Sequence, residues 1–155
     1  MAALRRTPRP SLTVPAAVLA VAAAAAVAGC TGGTTAWAVD GPLVVSAGSS
    51  EDGMTAIVSG TVAYDGTCLT LDGYPVVWPE GTRWDADAEA VVLSGGARAA
   101  VGDAVEGGGG YLQVVSMLPE GTDPAAGRLL QECGRSTGEV AFFNLGSRPT
   151  VPAAG

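Results

Sequence analysis

Apolar and polar positions fall into three regimes along this chain. Residues 16–28, AAVLAVAAAAAVA, form an unbroken apolar run of 13 residues. Residues 31–53, TGGTTAWAVDGPLVVSAGSSEDG, show no sustained period and are rich in Gly, Ser and Thr, so they read as a tether. As a flexible coil this segment would span roughly 25–30 Å. Within it, LVVSA at 43–47 is the stretch that could add an edge strand. From Met54 onward β-branched residues dominate and short strands alternate with turns.

MTAIVSGTVAY (54–64) predicts a first strand, with a glycine suited to a bulge. DG at 65–66 is a hairpin signal. TCLTLD then alternates, with Leu69 and Leu71 on one face. A second DG at 72–73 leads into YPVVW, so 54–78 read as a three-stranded meander. PEGTRWDADAEA follows as a turn and a loop. AVVL (90–93) and RAAVGDAV (98–105) predict another hairpin. EGGGG (106–110) reads as a flexible turn before a strand YLQVVSM (111–117). DPAAGRLLQECG offers Asp as N-cap, Pro at N1 and Gly beyond the end, which predicts a short helix from Pro124 to Cys133. EVAFF (139–143) is the last strand, and SRPTVPAAG reads as a frayed tail.

Many short strands with a single short helix before the last of them predict a mainly β protein, a small OB-like β-barrel. The expected division is a cleaved leader over 1–29, a lipidated cysteine and tether over 30–53, a barrel over 54–146 and a disordered tail over 147–155. PEGT occurs at 79–82 and again at 119–122, each time after a strand containing VV. A recurring turn sequence explains this more simply than an internal duplication.

Charge sharpens the reading. The chain has eight basic residues, all Arg, and no His. Three of the Arg stand at positions 5, 6 and 9, and all 15 acidic residues follow Cys30, so the part beyond Cys30 carries 5 − 15 = −10. Such acidity argues against nucleic acid as a partner and against an electrostatic grip on anionic lipid. Without His, a Ser–His or Cys–His nucleophile pair and a histidine metal site are excluded.

Arg5, Arg6 and Arg9 ahead of the apolar run have the layout of a secretory signal, and 13 apolar residues are short of the about 20 a membrane helix needs. Val27, Ala28, Gly29 and Cys30 resemble the bacterial lipobox. That resemblance implies cleavage before Cys30, a diacylglyceryl group on its sulfur, and residence on the outer face of the cytoplasmic membrane. Two acyl chains suffice for stable attachment where one is marginal. Trp37 stands close to the acylated end, either at the membrane interface or as a loosely packed tether residue. An exported chain with a further pair of cysteines is expected to join them, here Cys68 and Cys133. Neither C-x-x-C spacing nor enough soft ligands for zinc is present.

The lipobox, GTCLTLDGYPVVWPEGTRWD, VGDAVEGGGG and the late Cys133 together resemble small lipoproteins of high-GC Gram-positive bacteria. The family has no settled activity. It implies an extracytoplasmic, membrane-tethered β-domain.

The remaining chemistry is sparse. Asp85, Asp87 and Glu89 lie at i, i+2 and i+4 and would share one face if extended, a weak Ca²⁺ candidate against the simpler reading of a solvated acidic edge. Trp78 and Trp84 flank the first PEGT. With Asp85, Asp87 and Glu89 they form the candidate binding surface for an envelope protein or a glycan, weighed against Trp78 capping the core and Trp84 packing over the loop. VGDAV resembles the turns of lipoyl domains, but no Lys exists to carry a cofactor, and no cofactor is expected. The leading expectation is a non-catalytic binding or envelope-interaction module. The alternative is a small hydrolase acting on cell-wall glycan through carboxylates such as Asp85 and Asp87.

Overall fold

A computed structural model describes residues 36–48, 53–113 and 118–153 of the 155-residue chain. The expected leader over 1–29 and Cys30 lie outside these residues, as do residues 114–117 of the strand expected at 111–117, whose first three residues belong to β9. The strands are β1 (Trp37–Asp40), β2 (Leu43–Ser46), β3 (Ala56–Tyr64), β4 (Leu69–Leu71), β5 (Tyr74–Trp78), β6 (Arg83–Asp85), β7 (Ala90–Val92), β8 (Arg98–Ala100), β9 (Ala104–Gln113) and β10 (Glu139–Phe143). One helix, α1 (Pro124–Cys133), stands between β9 and β10. Among the described residues no helix is long and apolar enough to cross a membrane.

The expected meander is present as β3, β4 and β5. Its turns form where Gly66 and Gly73 take φ of +95° and +87°, conformations that a side chain resists. Asp65 braces the first turn, its Oδ1 accepting from the backbone N–H of Thr67 at 2.9 Å and of Cys68 at 2.7 Å. Asp72 braces the second, accepting from Thr61 N–H at 2.9 Å.

Five strands close a barrel. β3 pairs with β4, β4 with β5, β5 with β10, β10 with β9, and β9 returns to β3. Only the β5–β10 pairing in this circuit is parallel. A meander followed by a hairpin that crosses to the third strand is a Greek-key closure, which makes the barrel OB-like. Its interior holds Val58, Val62, Leu69, Leu71, Val105 and the fully buried pair Trp78 and Phe143, whose ring centroids are 5.3 Å apart. A second, three-stranded sheet, β6-β7-β8, packs Val91 and Ala99 onto this core.

The glycine run is the largest departure from expectation. EGGGG is not a flexible turn but the middle of β9, the longest strand. Here glycine serves close approach. A Cβ at Gly109 would collide with the Phe142 carbonyl oxygen and stand 3.0 Å from a Val58 methyl. A Cβ at Gly107 would stand 3.0 Å from the Phe143 ring and 3.2 Å from Pro149 Cα.

The domain boundaries also need correction. Residues 37–46, expected within the tether, form the β1–β2 hairpin. On β5, β4 reaches only Tyr74 and Pro75, which would leave the edge of β5 open at Val77 and Trp78. β2 fills that edge in parallel, Val44 opposite Val77 and Val45 opposite Trp78. The strand suggested at 43–47 is therefore real, and the sheet begins at Trp37 rather than at Met54. The tail over 147–155 is not frayed throughout either. Thr150 and Glu106 exchange both backbone hydrogen bonds, at 2.8 and 3.0 Å, and Val151 packs against the core.

Outside the barrel, α1 lies over β1, β2 and β5. Ala126 and Leu130 form a second apolar cluster with Trp37, Val44, Val77 and Val140. The helix starts as expected, with Asp123 Oδ1 accepting from Ala125 N–H at 2.8 Å and Pro124 at N1. Gly134 follows it at φ −87°, so this end does not use the left-handed conformation open to glycine. A disulfide joins Cys68, just ahead of β4, to Cys133 at the end of α1. The two PEGT segments make the same turn: Thr82 N–H donates to Pro79 O at 3.2 Å and Thr122 N–H to Pro119 O at 3.1 Å, with Gly81 and Gly121 both at φ +85°. Identical local geometry is what a recurring turn sequence produces.

Candidate functional site

The structure separates the residues that the sequence grouped as a binding surface. Trp78 belongs to the barrel interior with no exposed area, so it is not part of any contact surface. Its last position in β5 aims it inward, because alternation places Val76 and Trp78 on the core side and Val77 beneath α1. Trp84 is half-buried. Its ring lies 5.1 Å from that of Tyr64, and a Cβ at Gly41 would come within 3.0 Å of its Cδ1. Its backbone N–H donates to Asp40 Oδ2 at 3.0 Å. Trp84 thus wedges the β1–β2 turn against the barrel.

Asp85, Asp87 and Glu89 do not share one face. β6 ends at Asp85, and residues 86–89 turn back toward β7, with Glu89 at φ +45°. The turn exists because Asp85 Oδ1 accepts from Ala88 N–H at 3.1 Å, while Oδ2 pairs with the Arg98 guanidinium across the sheet. Among the described residues no group of three or more His, Cys, Asp or Glu is placed to hold a metal ion. The Ala88 hydrogen bond first, and Arg98 second, hold the Asp85 carboxyl below the ordinary carboxylate value. A glycosidase acid needs the opposite shift.

Asp65 is lowered in the same direction, by the hydrogen bonds from Cys68 and Thr67. Both groups have folded values below their unfolded ones. Whatever stability they add is complete above the unfolded value near 3.8 and is lost as pH falls through the folded values. Carboxyl NMR titration should therefore give both midpoints below 3.8, and Arg98→Gln should raise that of Asp85 while leaving Asp65 unmoved. An Asp85 midpoint indifferent to Arg98 would show that the pair does not form.

A larger concave feature than any at these residues lies elsewhere. A cleft of about 670 Å³ opens on the outside of the barrel, lined by Trp37, Met54, Leu112, Pro119, Phe142 and Leu145, among others. Its size falls within the range of small-molecule sites, about 300–1,000 Å³. Trp37 and Phe142 form its aromatic wall, their centroids 6.0 Å apart. Phe142 points outward because its neighbours in β10, Ala141 and Phe143, fill the barrel. Met54 is fixed by the Asn144 side chain, which accepts from its N–H and donates to its carbonyl, both at 2.8 Å. The cleft's neighbour Ala47 is held by its N–H bond to Ala36 O at 2.8 Å, where the ends of the hairpin meet.

OB barrels commonly bind oligonucleotides and oligosaccharides on the face of their second and third strands and on two flanking loops. In this barrel that face belongs to β4 and β5. Val77 on it is covered by α1, and the disulfide ties the loop before β4 to the end of α1. The barrel's own chain occupies part of the surface that fold analogy would assign to a ligand.

The cleft was not visible in the sequence because its lining comes from separated segments. The one local signal was Trp37, an aromatic inside an otherwise small and polar stretch. Comparison with protein-family models, with curated proteins and with solved structures gives no match for this chain.

Proposed function

We propose that this chain is a lipid-anchored protein of the outer face of the cytoplasmic membrane, whose disulfide-braced barrel works by binding. The observation that carries this reading is Val27-Ala28-Gly29-Cys30, the lipobox pattern, behind an arginine-bearing apolar segment. The domain that follows offers an apolar cleft framed by Trp37 and Phe142 in place of a cluster of tuned acid–base groups. No His or Lys is present to supply such groups.

The test is direct. Intact-mass measurement of the membrane-bound protein should show residues 1–29 lost and a lipid mass gained on Cys30. Cys30→Ser should leave the chain unprocessed or release it from the membrane fraction. A mature N-terminus at any other residue would refute the anchor.

A further inference from the structure

Cys30 is separated from Ala36 by residues 31–35, and an extended backbone of that length reaches no more than about 20 Å. The sheet begins at Trp37, and Trp37 lines the cleft. A tether of 23 residues would hold the domain well clear of a bilayer. The observed start of β1 does not leave that length.

We propose that the cleft takes one acyl chain of a phospholipid drawn from the leaflet in which Cys30 is anchored. This rests on the lipid-anchor reading above and adds a ligand to it. The lining explains the class. Among the described residues it holds no charged side chain, and the one side-chain amide among them, Asn144, has both polar atoms engaged with the Met54 backbone. A glycan or an extended peptide needs several polar partners in its site, whereas a hydrocarbon chain needs none. Trp37 and Phe142 give the wall aromatic rather than hydrogen-bonding surface, and Trp37, only 6% exposed, is held in place by Val44 and Leu130. Short covalent reach keeps the cleft at the leaflet surface, so lipid is presented at high effective concentration. The charge of −10 beyond Cys30 favours a zwitterionic headgroup over an anionic one.

The experiment uses the mature full chain in phosphatidylcholine vesicles doped with phosphatidylcholine that carries a diazirine in one acyl chain. After irradiation, adducts should map to Trp37, Met54, Leu112 and Phe142. Ala47→Phe, which extends an exposed lining residue into the cleft, should cut them at least five-fold at an unchanged melting temperature. Ala104→Phe, on the exposed side of β9, should leave them unchanged. If Ala47→Phe does not fold, Leu145→Asn replaces it with the same expectation. Adducts spread over the exposed Ile57, Val101 and Leu118, or adducts indifferent to the cleft variants, would overturn the proposal. So would an unlabelled cleft, the result expected if another part of the chain, such as residues 114–117, fills it.

The two readings fail separately. A lipid mass on Cys30 without cleft adducts sinks the acyl site and spares the anchor. Cleft adducts in Cys30→Ser, measured in micelles of diheptanoylphosphatidylcholine with the same probe, support the acyl site even if the wild-type chain gains no lipid mass.

Discussion

Reduction of the Cys68–Cys133 disulfide is expected to lower the melting temperature by roughly 15 °C. The bridge spans 65 residues of sequence. Closing a loop of that size in the unfolded chain is worth about 4 kcal/mol in the chain-entropy model. For a domain of this length each kcal/mol moves the melting point by about 4 °C. The folded-state effect adds to this, because Cys133 ends α1 and Cys68 immediately precedes β4, so the bridge holds the helix against the cluster of Trp37, Val44 and Val77. Calorimetry with and without reductant measures the shift, and Cys133→Ser should reproduce it. A shift below about 3 °C would mean that the packing of Ala126 and Leu130 alone holds the helix.

Gly109→Ala is expected to cost about 3 kcal/mol, the upper part of the usual overpacking range. The obstacle is the Phe142 carbonyl oxygen on the adjacent strand, which cannot rotate away as a side chain would. β9 and β10 would have to separate, opening the wall beside Phe143. Gly108→Ala is the matched control. Its Cβ would stand on the exposed face, with nothing nearer than 3.4 Å, so a change within about 0.5 kcal/mol is expected. If EGGGG were a flexible turn, both substitutions would behave alike. Urea denaturation of the two variants distinguishes a packed strand from a loop, and equal midpoints would contradict the strand.

These two sites mark where the sequence could be read and where it could not. The disulfide was legible because its argument needs only export and a pair of cysteines. The meander and α1 were legible because their signals are local: DG at each turn, Asp-Pro at the helix start. β9 was opaque because alternation is a contrast between side chains, and Gly107 to Gly110 have none to compare. The role of those glycines lies in Phe142, Phe143 and Pro149, more than 30 positions away. β1 and β2 were ambiguous for a related reason. Their place depends on the part of β5 that β4 leaves open, a fact about register that no short window contains. The acidic run failed differently. An i, i+2, i+4 spacing implies one face only if the backbone stays extended, and Asp85 itself turns the backbone by accepting from Ala88. As for the cleft, Met54, Leu112, Pro119 and Leu145 are each ordinary in their own segments. What makes them a site is the barrel that gathers them beside Trp37.

The strand order has a consequence in time. β10, the last strand of the described residues, lies between β5 and β9 in the closed circuit. During synthesis the first four barrel strands are complete long before their closing partner exists. Until Glu139–Phe143 emerge, β5 and β9 both present unpaired edges, and neither Trp78 nor Val58 has Phe143 to pack against. Long-range pairing of this kind forms late, because the loop entropy is lost before the contacts repay it. The chain therefore stays open while it is being made and closes as a unit at the end. Until that closure, two strand edges stand exposed to neighbouring chains.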